Sequence, residues 1–272
     1  MKRSERLVSL MNYFMESPRE HTALPVFSEW YGAAKSSISE DLDIVDRVMR
    51  GEGIGHLQTL PGASGGVRFI PEFSQENSMT FIRELCDMLE DPERILPGGY
   101  LYMSDILGDP KMVGKVGRVL ASAFAGADID VVVTVATKGI PLAYAVASVL
   151  NVPVVIVRRD PRVTEGSSVS INYVSGSSRK IQTMVLPKRS LQENANVCIV
   201  DDFMKAGGTI NGIISLLNEF KANVSAVGVL AEADDEEDER VVDHYKSLVK
   251  ITDVDGKYQR ITVAPGNIVS EW

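Results

Sequence analysis

The chain has 272 residues, enough for more than one domain, and its 44% hydrophobic and 24% charged residues are typical of globular proteins. No stretch is long and apolar enough to span a bilayer, and the N-terminus lacks the apolar core of a signal peptide. The two cysteines, Cys86 and Cys198, cannot form a disulfide framework. These features exclude a membrane protein and a disulfide-stabilised secreted domain, and they predict a cytoplasmic location.

The net charge of −9 is distributed unevenly along the chain. Residues 232–243 carry eight acids and one arginine, a net charge of −7, which leaves −2 for the remainder. Such a block of like charges is typical of a solvated loop. In contrast, residues 158–190 carry seven basic residues and two acids, a net charge of +5, and form a candidate site for a polyanion.

The N-terminal residues predict three helices. Apolar residues from Leu7 to Phe14 recur at helical spacing. A second helix is predicted to begin at Pro25 and to close at Gly32, since proline is favoured at helix starts and glycine just past helix ends. The third is predicted to begin with the capping box Ser37-x-x-Glu40 and to end at Gly51.

Two strand-like runs, IGHLQTL and VRFIP, follow the third helix and are joined by the glycine-rich segment PGASGG. Three helices and a hairpin in this order predict a winged helix-turn-helix DNA-binding domain over residues 1–72. A dimerisation module is the alternative, because residues 1–71 hold eight basic and nine acidic residues and are not clearly basic. Residues 73–272 are predicted to form the second domain.

The placement of basic and small polar residues favours DNA over dimerisation. A helix N-terminus offers free N–H groups and a positive dipole end to phosphate, and a small loop tip can approach a nucleic-acid backbone closely. The candidate DNA-contacting residues are Lys2, Arg3, Arg6, Lys35, Ser36, Ser37, Ser39, Gly62, Ala63, Ser64 and Arg68. Asp41, Asp43 and Asp46 would have to face away from the DNA, and the weak basicity predicts that a dimer binds.

Beyond residue 100, apolar β-branched runs alternate with helical patterns. The runs DIDVVVTVA, VPVVIVRR, ANVCIVDD and VSAVGVLAE predict buried strands, and helices are predicted between them. This alternation predicts an α/β fold with a doubly wound parallel sheet and helices on both faces. In such sheets, ligands bind at the carboxyl ends of the strands.

Two loops at predicted strand ends carry suitable chemistry. The first, VATKGIP, supplies a hydroxyl, a cation and a glycine before a helix, which fits an anion cradle; a purely structural turn is the alternative, since turns of this composition are common. Its candidate residues are Ala136, Thr137, Lys138 and Gly139. The second, VCIVDDFMKAGGT, supplies Asp201, Asp202, Phe203, Met204, Lys205, Ala206, Gly207, Gly208 and Thr209.

The second loop combines a phosphate site with two acids. Backbone N–H groups before the next helix suit a terminal phosphate, and carboxylates beside phosphates bind ribose hydroxyls or Mg²⁺. The stretch therefore predicts a phosphorylated sugar as ligand. An acidic helix cap is the alternative, but the helix is predicted to begin near Thr209, several residues after the acids.

The stretch VCIVDDFMKAGGT resembles the phosphoribosyl pyrophosphate (PRPP) signature of type I phosphoribosyltransferases. The resemblance implies that VATKGIP binds the pyrophosphate and that a flap between the two loops closes over the ligand. Mg²⁺ would be held through the ligand, with Asp201 and Asp202 as candidate contacts. We expect Tyr102 and Arg158 to join this effector site. The flap, predicted as a hairpin, contains Tyr173, Ser175, Gly176, Ser177, Ser178, Arg179 and Lys180.

The chain departs from the enzyme signature at Phe203 and Met204, which are bulky, and at Lys205, where a threonine is typical. Over essentially its whole length the chain resembles the purine operon repressor family of Gram-positive bacteria. The resemblance implies a transcriptional repressor of purine biosynthesis without catalytic residues. It also implies a homodimer, formed through the second domain, that binds double-stranded operator DNA and is released by PRPP. From pocket charge we also expect a guanosine alarmone to fit. A catalytically active purine phosphoribosyltransferase with an N-terminal dimerisation module is the alternative.

Overall fold

The computed structural model describes residues 1–62, 65–97, 100–160, 166–174, 181–233, 241–255, 258 and 260–271. The chain forms two compact units, residues 1–77 with 148–151 and residues 78–147 with 152–272. The sequence predicts a domain boundary after residue 72, whereas the compact units divide after Asn77. None of the helices in the described part of the chain has the length and apolar character that a membrane crossing requires.

The first unit contains three helices and a three-stranded antiparallel sheet in the order β1-β3-β2. The elements are α1 (Arg3–Glu16), β1 (Thr22–Ala23), α2 (Leu24–Tyr31), α3 (Lys35–Gly51), β2 (Gly55–Leu60) and β3 (Gly66–Pro71). Leu10, Phe14, Phe27, Ile38 and Met49 are fully buried in the core of this unit. This order is that of a winged helix domain, which confirms the predicted architecture.

Helix ends in this unit follow the predictions only in part. Helix α2 closes at Gly32, whose φ of 58° lies in the left-handed region, as predicted. Helix α3 begins at Lys35 because Ala34 has the extended backbone of an N-cap, so Ser37 lies inside the first turn and the predicted capping box is wrong. Gly51 belongs to the helix, and Gly53 with φ 65° takes the left-handed conformation instead.

A buried ion pair joins α1 to α3. The Asp41 side chain is 0% exposed and accepts hydrogen bonds from Arg6 Nε at 2.5 Å and Arg3 Nε at 2.9 Å. The Arg6 side chain is only 10% exposed. The prediction that Arg6 contacts DNA is therefore corrected, because its guanidinium is enclosed and committed to Asp41. Asp46 is also structural, since it accepts a hydrogen bond from the Leu57 N–H at 2.6 Å.

We expect Asp41→Ala to destabilise the first unit by about 3 kcal/mol, because removing one partner leaves the Arg6 charge buried without compensation. Amide hydrogen exchange of α1 and α3 peptides in the full-length protein would show the loss as reduced protection. Asp43→Ala is the matched control, since Asp43 is exposed on the same helix and should change stability by no more than about 0.5 kcal/mol. Equal protection in the two variants would contradict this role of Asp41.

The second unit is built on a six-stranded sheet in the order β13-β12-β11-β10-β6-β7, parallel except for β13. Its strands are β6 (Val131–Val135), β7 (Val154–Val157), β10 (Asn196–Met204), β11 (Asn223–Ala233), β12 (Lys246–Asp255) and β13 (Arg260–Pro265). Two short hairpins accompany it, β4 (Ile95–Leu96) with β5 (Tyr100–Leu101) and β8 (Ser168–Val174) with β9 (Ile181–Pro187). The predicted parallel α/β sheet is confirmed.

The helices that follow the first unit are α4 (Gln75–Leu89), α5 (Ser104–Gly108), α6 (Pro110–Ala123), α7 (Ile140–Leu150) and α8 (Gly208–Glu219). Helix α7 connects β6 to β7, and α8 connects β10 to β11. Helix α4 stops at Leu89, before Pro92 begins a short 3-10 turn. The three-residue 3-10 turn leads directly into β4.

The strand order reverses between β6 and β10. From β6 the chain continues to β7 on one side, and from β10 it continues to β11 on the other. Such a switch point opens a crevice at the carboxyl ends of the strands. Strand β10 pairs with β6 only at Val197 to Ile199 but runs on along β11 to Met204. The end of β10 therefore extends past its last pairing with β6 and carries its two acids into the crevice.

Candidate functional site

A cleft of about 550 Å³ occupies the switch point at the carboxyl ends of β6 and β10. The cleft contains three basic and three acidic side chains. Its lining residues are Val135, Ala136, Thr137, Lys138, Arg158, Arg159, Asp160, Asp201, Asp202, Phe203 and Thr209. The structure thus brings the two sequence-predicted loops into one cavity, together with the start of the basic segment.

Asp201 and Asp202 form a buried acid pair at the end of β10. Asp201 is 6% exposed, and its Oδ1 accepts the Asp202 N–H at 2.9 Å. Burial raises the pKa of Asp201 well above its usual value, and the neighbouring Asp202 charge raises that pKa further. Burial also raises the pKa of Asp202, although the hydrogen bond to Asp201 and the charge of Lys138 oppose the rise. Both carboxyl groups therefore keep their protons to a higher pH than an ordinary aspartate does.

The first loop packs directly against this pair through Gly139. A Cβ at Gly139 would lie 2.3 Å from Thr134 Oγ1 and 2.9 Å from Asp201 Oδ1, so a larger residue cannot fit without moving the loop. Thr134 Oγ1 is buried and has no hydrogen-bond partner among the described residues. The peptide bond between Ala136 and Thr137 is cis. Glycine at 139 thus allows the backbone of this loop to reach the acids.

The second loop presents a helix N-terminus beside the acids. Strand β10 ends at Met204 and α8 begins at Gly208, with Gly207 as N-cap in the left-handed conformation at φ 86°. Gly207 supplies no capping side chain, so the first N–H groups of α8 have no side-chain cap. A hollow of about 70 Å³ lined by residues 203–210 lies at this end. Its size and N–H groups suit a phosphate.

The acids lie in the last part of β10, within the run ANVCIVDD that the sequence predicts as a strand, and the strand continues to Met204. Their position still separates them from α8 by several residues, so they are not its N-cap. Met204 faces the core and is 2% exposed, so its side chain is unavailable to a ligand although its backbone lines the small hollow.

The hairpin β8–β9 is attached to the cleft at its base. Arg158 exchanges two backbone hydrogen bonds with Val185 of β9, at 3.1 and 2.7 Å, directly after β7. Tyr173 of β8 packs against Gly212 of α8, where an added Cβ would lie 2.9 Å from the ring. The predicted hairpin is therefore present. The other proposed flap residues, 175–180, lie outside the described residues.

Two further differences separate the predicted from the observed lining. Tyr102 is not among the residues that line the cleft in the described part of the chain; it is 43% exposed, and its carbonyl accepts a hydrogen bond from Arg94 at 3.0 Å. Arg159 and Asp160 line the cleft but were not singled out. The basic segment that begins at Arg158 was the available signal for them, but a charge count does not say which side chains face the cavity.

The described residues contain no group of three or more histidine, cysteine or acidic side chains that could hold a metal ion. The acid pair offers hard oxygen donors of the kind Mg²⁺ prefers, but too few to enclose an ion. The donor set therefore fits an ion that arrives with a phosphorylated ligand. Such an ion would neutralise phosphate charge beside Asp201 and Asp202.

In the first unit, most candidate DNA-contacting residues lie at the surface. Lys2, Arg3, Lys35, Ser36, Ser39 and Gly62 are exposed, whereas Ser37 and Arg68 are half-buried. Arg3 Nε donates a hydrogen bond to Asp41, and Arg68 Nε donates a hydrogen bond to Gln58 at 2.8 Å. Ala63 and Ser64 lie outside the described residues. Arg47, which is absent from the DNA-contacting candidates predicted from the sequence, is exposed on the face of α3 that carries Ser36 and Ser39.

Comparison with known proteins places both units. The family model for the bacterial purine repressor N-terminal domain matches residues 2–71. The phosphoribosyl transferase domain model matches residues 103–265. The chain is 58% identical over 268 residues to the purine biosynthesis transcriptional repressor of Bacillus subtilis, covering 98% of this chain and 94% of that protein. The chain belongs to the bacterial purine repressor family.

Further comparisons concern the fold of the chain and the class of protein to which it belongs. It is 47% identical to the purine biosynthesis transcriptional activator of Lactococcus lactis over the full length of both chains. The crystal structure of an adenine phosphoribosyltransferase from Thermoanaerobacter pseudethanolicus matches with a TM-score of 0.51 and 21% identity, covering 61% of this chain and 98% of that chain. That likeness shows the fold alone. The full-length relatives are named as transcriptional regulators, which confirms that the phosphoribosyltransferase-like fold serves a regulator here.

Asp201→Asn is expected to raise the unfolding free energy of the protein at neutral pH by about 1–3 kcal/mol, the usual range for a poorly compensated buried polar group. The folded-state pKa of Asp201 is raised above its unfolded-state value. Between these two pKa values the native protein binds more protons than the unfolded chain, so wild-type stability falls as pH rises through this range. The advantage of the variant should therefore shrink toward pH 4.

Thermal unfolding between pH 4 and pH 8 measures this difference. Asp160→Asn is the control, because Asp160 lies in the same cleft but is exposed, and it should give nearly wild-type stability at every pH. A lower melting temperature for Asp201→Asn than for the wild type at pH 7.5 would show that the acid pair is not under strain.

Proposed function

We propose that this protein represses purine biosynthesis genes by binding operator DNA as a homodimer, and that PRPP with Mg²⁺ binds in the cleft and weakens DNA binding. The observation that carries the proposal is the cleft itself: a buried acid pair, an uncapped helix N-terminus and three cations meet in a chain whose full-length relatives are transcriptional regulators. The repressor output follows the higher identity to a repressor, 58%, than to an activator, 47%.

Each part of PRPP has matching chemistry in the cleft. The 5-phosphate suits the N–H groups of the loop from Lys205 to Thr209 and the start of α8. The ribose hydroxyls suit Asp201 and Asp202, which can accept hydrogen bonds from both. The pyrophosphate suits the loop with Lys138, and Arg158 and Arg159 add positive charge nearby.

The charge balance of the cleft favours a polyanion despite its acids. With every group ionised, Lys138, Arg158 and Arg159 balance Asp160, Asp201 and Asp202. Because the pKa values of both Asp201 and Asp202 are raised, each proton that the pair retains leaves the cleft one unit more positive. Mg²⁺ bound to the ligand would take over this role beside the carboxylates. By the same argument, we propose that a guanosine alarmone competes for this cleft.

Lys205→Ala is expected to keep DNA binding and to lose the response to PRPP, because the lysine lies in the loop proposed to bind the 5-phosphate. Fluorescence anisotropy with a labelled duplex from upstream of a purine biosynthesis gene, titrated with PRPP and Mg²⁺, measures both properties. We expect at least a tenfold higher PRPP concentration for half-release, corresponding to about 1.4 kcal/mol. Asp201→Ala should behave in the same way.

Lys221→Ala is the matched control, because Lys221 is exposed and paired with Glu193 outside the cleft, and its PRPP response should be that of the wild type. Ribose 5-phosphate and pyrophosphate, added separately, should each release DNA less effectively than PRPP. Wild-type protein that stays on DNA at saturating PRPP would overturn the effector assignment. Release of pyrophosphate during incubation with PRPP and purine bases would revive the enzyme alternative.

Removal of residues 1–72 is expected to abolish DNA binding while the remaining protein stays folded, because the six-stranded sheet and its core lie entirely in the second unit. Circular dichroism and light scattering of the truncated protein test the fold and the proposed dimer. A truncated protein that still bound the operator duplex would contradict the domain assignment. A monomeric truncated protein would contradict dimerisation through the second domain.

A further inference from the structure

The turn between α1 and β1 holds an arginine in an unusual environment. Arg19 has a φ of 61°, in the left-handed region that non-glycine residues seldom adopt. Its N–H donates a hydrogen bond of 2.7 Å to the carbonyl of Phe69 in β3. The backbone of Arg19 is thus fixed to the strand that forms one side of the wing.

The Arg19 side chain carries donors without acceptors. Its Nε and Nη2 are buried and have no hydrogen-bond partner among the described residues. A buried donor without a partner costs free energy, so such a group in a folded protein calls for an explanation by strain, an ion or a function. An acceptor supplied by a binding partner would remove this cost.

A second guanidinium lies close to the first. Burial lowers the pKa of Arg19, and the positive charge of Arg68 lowers it further, so the two cations repel each other. Arg68 is fixed by its hydrogen bond to Gln58 across the β2–β3 hairpin. His21, which is exposed, lies against the same strand, since a Cβ at Gly66 would be 2.6 Å from its Nε2. Positive and donor groups therefore gather along β3 of the wing.

We propose that Arg19 and Arg68 form an oxyanion site that binds one phosphate of the DNA backbone, a proposal that rests on the DNA-binding function proposed above. An oxyanion between the two guanidinium groups supplies acceptors for the buried donors and offsets the repulsion between the cations. Phosphate contacts position a protein on DNA without reading its sequence. Arg19 thus anchors the winged helix domain, while the exposed face of α3 remains available to the bases.

The test measures the affinity of the full-length protein for an operator duplex and for a random duplex at several salt concentrations, without PRPP. For Arg19→Gln we expect about tenfold weaker binding to both duplexes at 50 mM salt, since one charge-assisted contact is lost. The slope of log K against log salt should become shallower by about 0.9 for each protomer that contacts DNA. Arg19→Lys should restore the slope but only part of the affinity, because it keeps the charge without the planar fork.

Lys111→Gln is the charge-matched control, since Lys111 is exposed on α6 in the second unit, and it should leave the slope unchanged. Thermal unfolding separates binding from structure: Arg19→Gln should melt no lower than the wild type, because it removes a buried donor without a partner. In the absence of DNA, inorganic phosphate should raise the melting temperature of the wild type more than that of Arg19→Gln.

Three results would overturn the oxyanion site. These are an unchanged salt slope in Arg19→Gln, a loss of affinity confined to the operator duplex, and a clear loss of thermal stability. Stabilisation by inorganic phosphate without any change in DNA affinity would assign the site to free phosphate and refute the DNA contact. Wild-type protein that bound neither duplex would refute the proposed function itself, whereas normal DNA release by PRPP with an unchanged slope in Arg19→Gln would refute only this inference.

Discussion

Burial of two adjacent carboxyl groups at the end of β10 is the constraint on which the rest of the ligand site depends. The pair is placed there because β10 runs on beyond its last pairing with β6, at the point where the strand order reverses. Burial raises the pKa of both carboxyl groups, so they lose their protons at a higher pH than ordinary aspartates do. Gly139 brings the first loop against Asp201, and Gly207 opens the N-terminus of α8 beside the same pair.

The first unit contains buried charged side chains of two kinds, paired and unpaired among the described residues. Asp41 is fully buried but directly paired with Arg6 and Arg3, so its charge is satisfied within the fold and joins α1 to α3. Arg19, by contrast, has buried donors without partners among the described residues. Fully satisfied buried charges thus stabilise the fold, whereas incompletely satisfied ones mark the places where this regulator is proposed to bind phosphates or hydroxyls.

The sequence predicted those features that depend on local pattern. Apolar periodicity located the three N-terminal helices and strands β6, β7, β10 and β11, and the acid pair with its following glycines located the cleft. Strand β1 was missed because a run of two residues is too short to show alternation. Strands β12 and β13, which follow the acidic run, were missed as well. The predicted DNA contact of Arg6 was wrong because its partner Asp41 is 35 residues away in the sequence, and only tertiary packing brings the two side chains together.

The proposed function implies that Asp201 and Asp202 lose protons when PRPP and Mg²⁺ bind in the cleft. Isothermal titration calorimetry of PRPP with Mg²⁺ at pH 6, in buffers of different ionisation enthalpy, counts the protons exchanged on binding. More protons should be released by the wild type than by any Asp201→Asn protein that still binds, because ligand hydroxyls and Mg²⁺ favour the ionised carboxylates. Equal proton exchange in both proteins would contradict the claim.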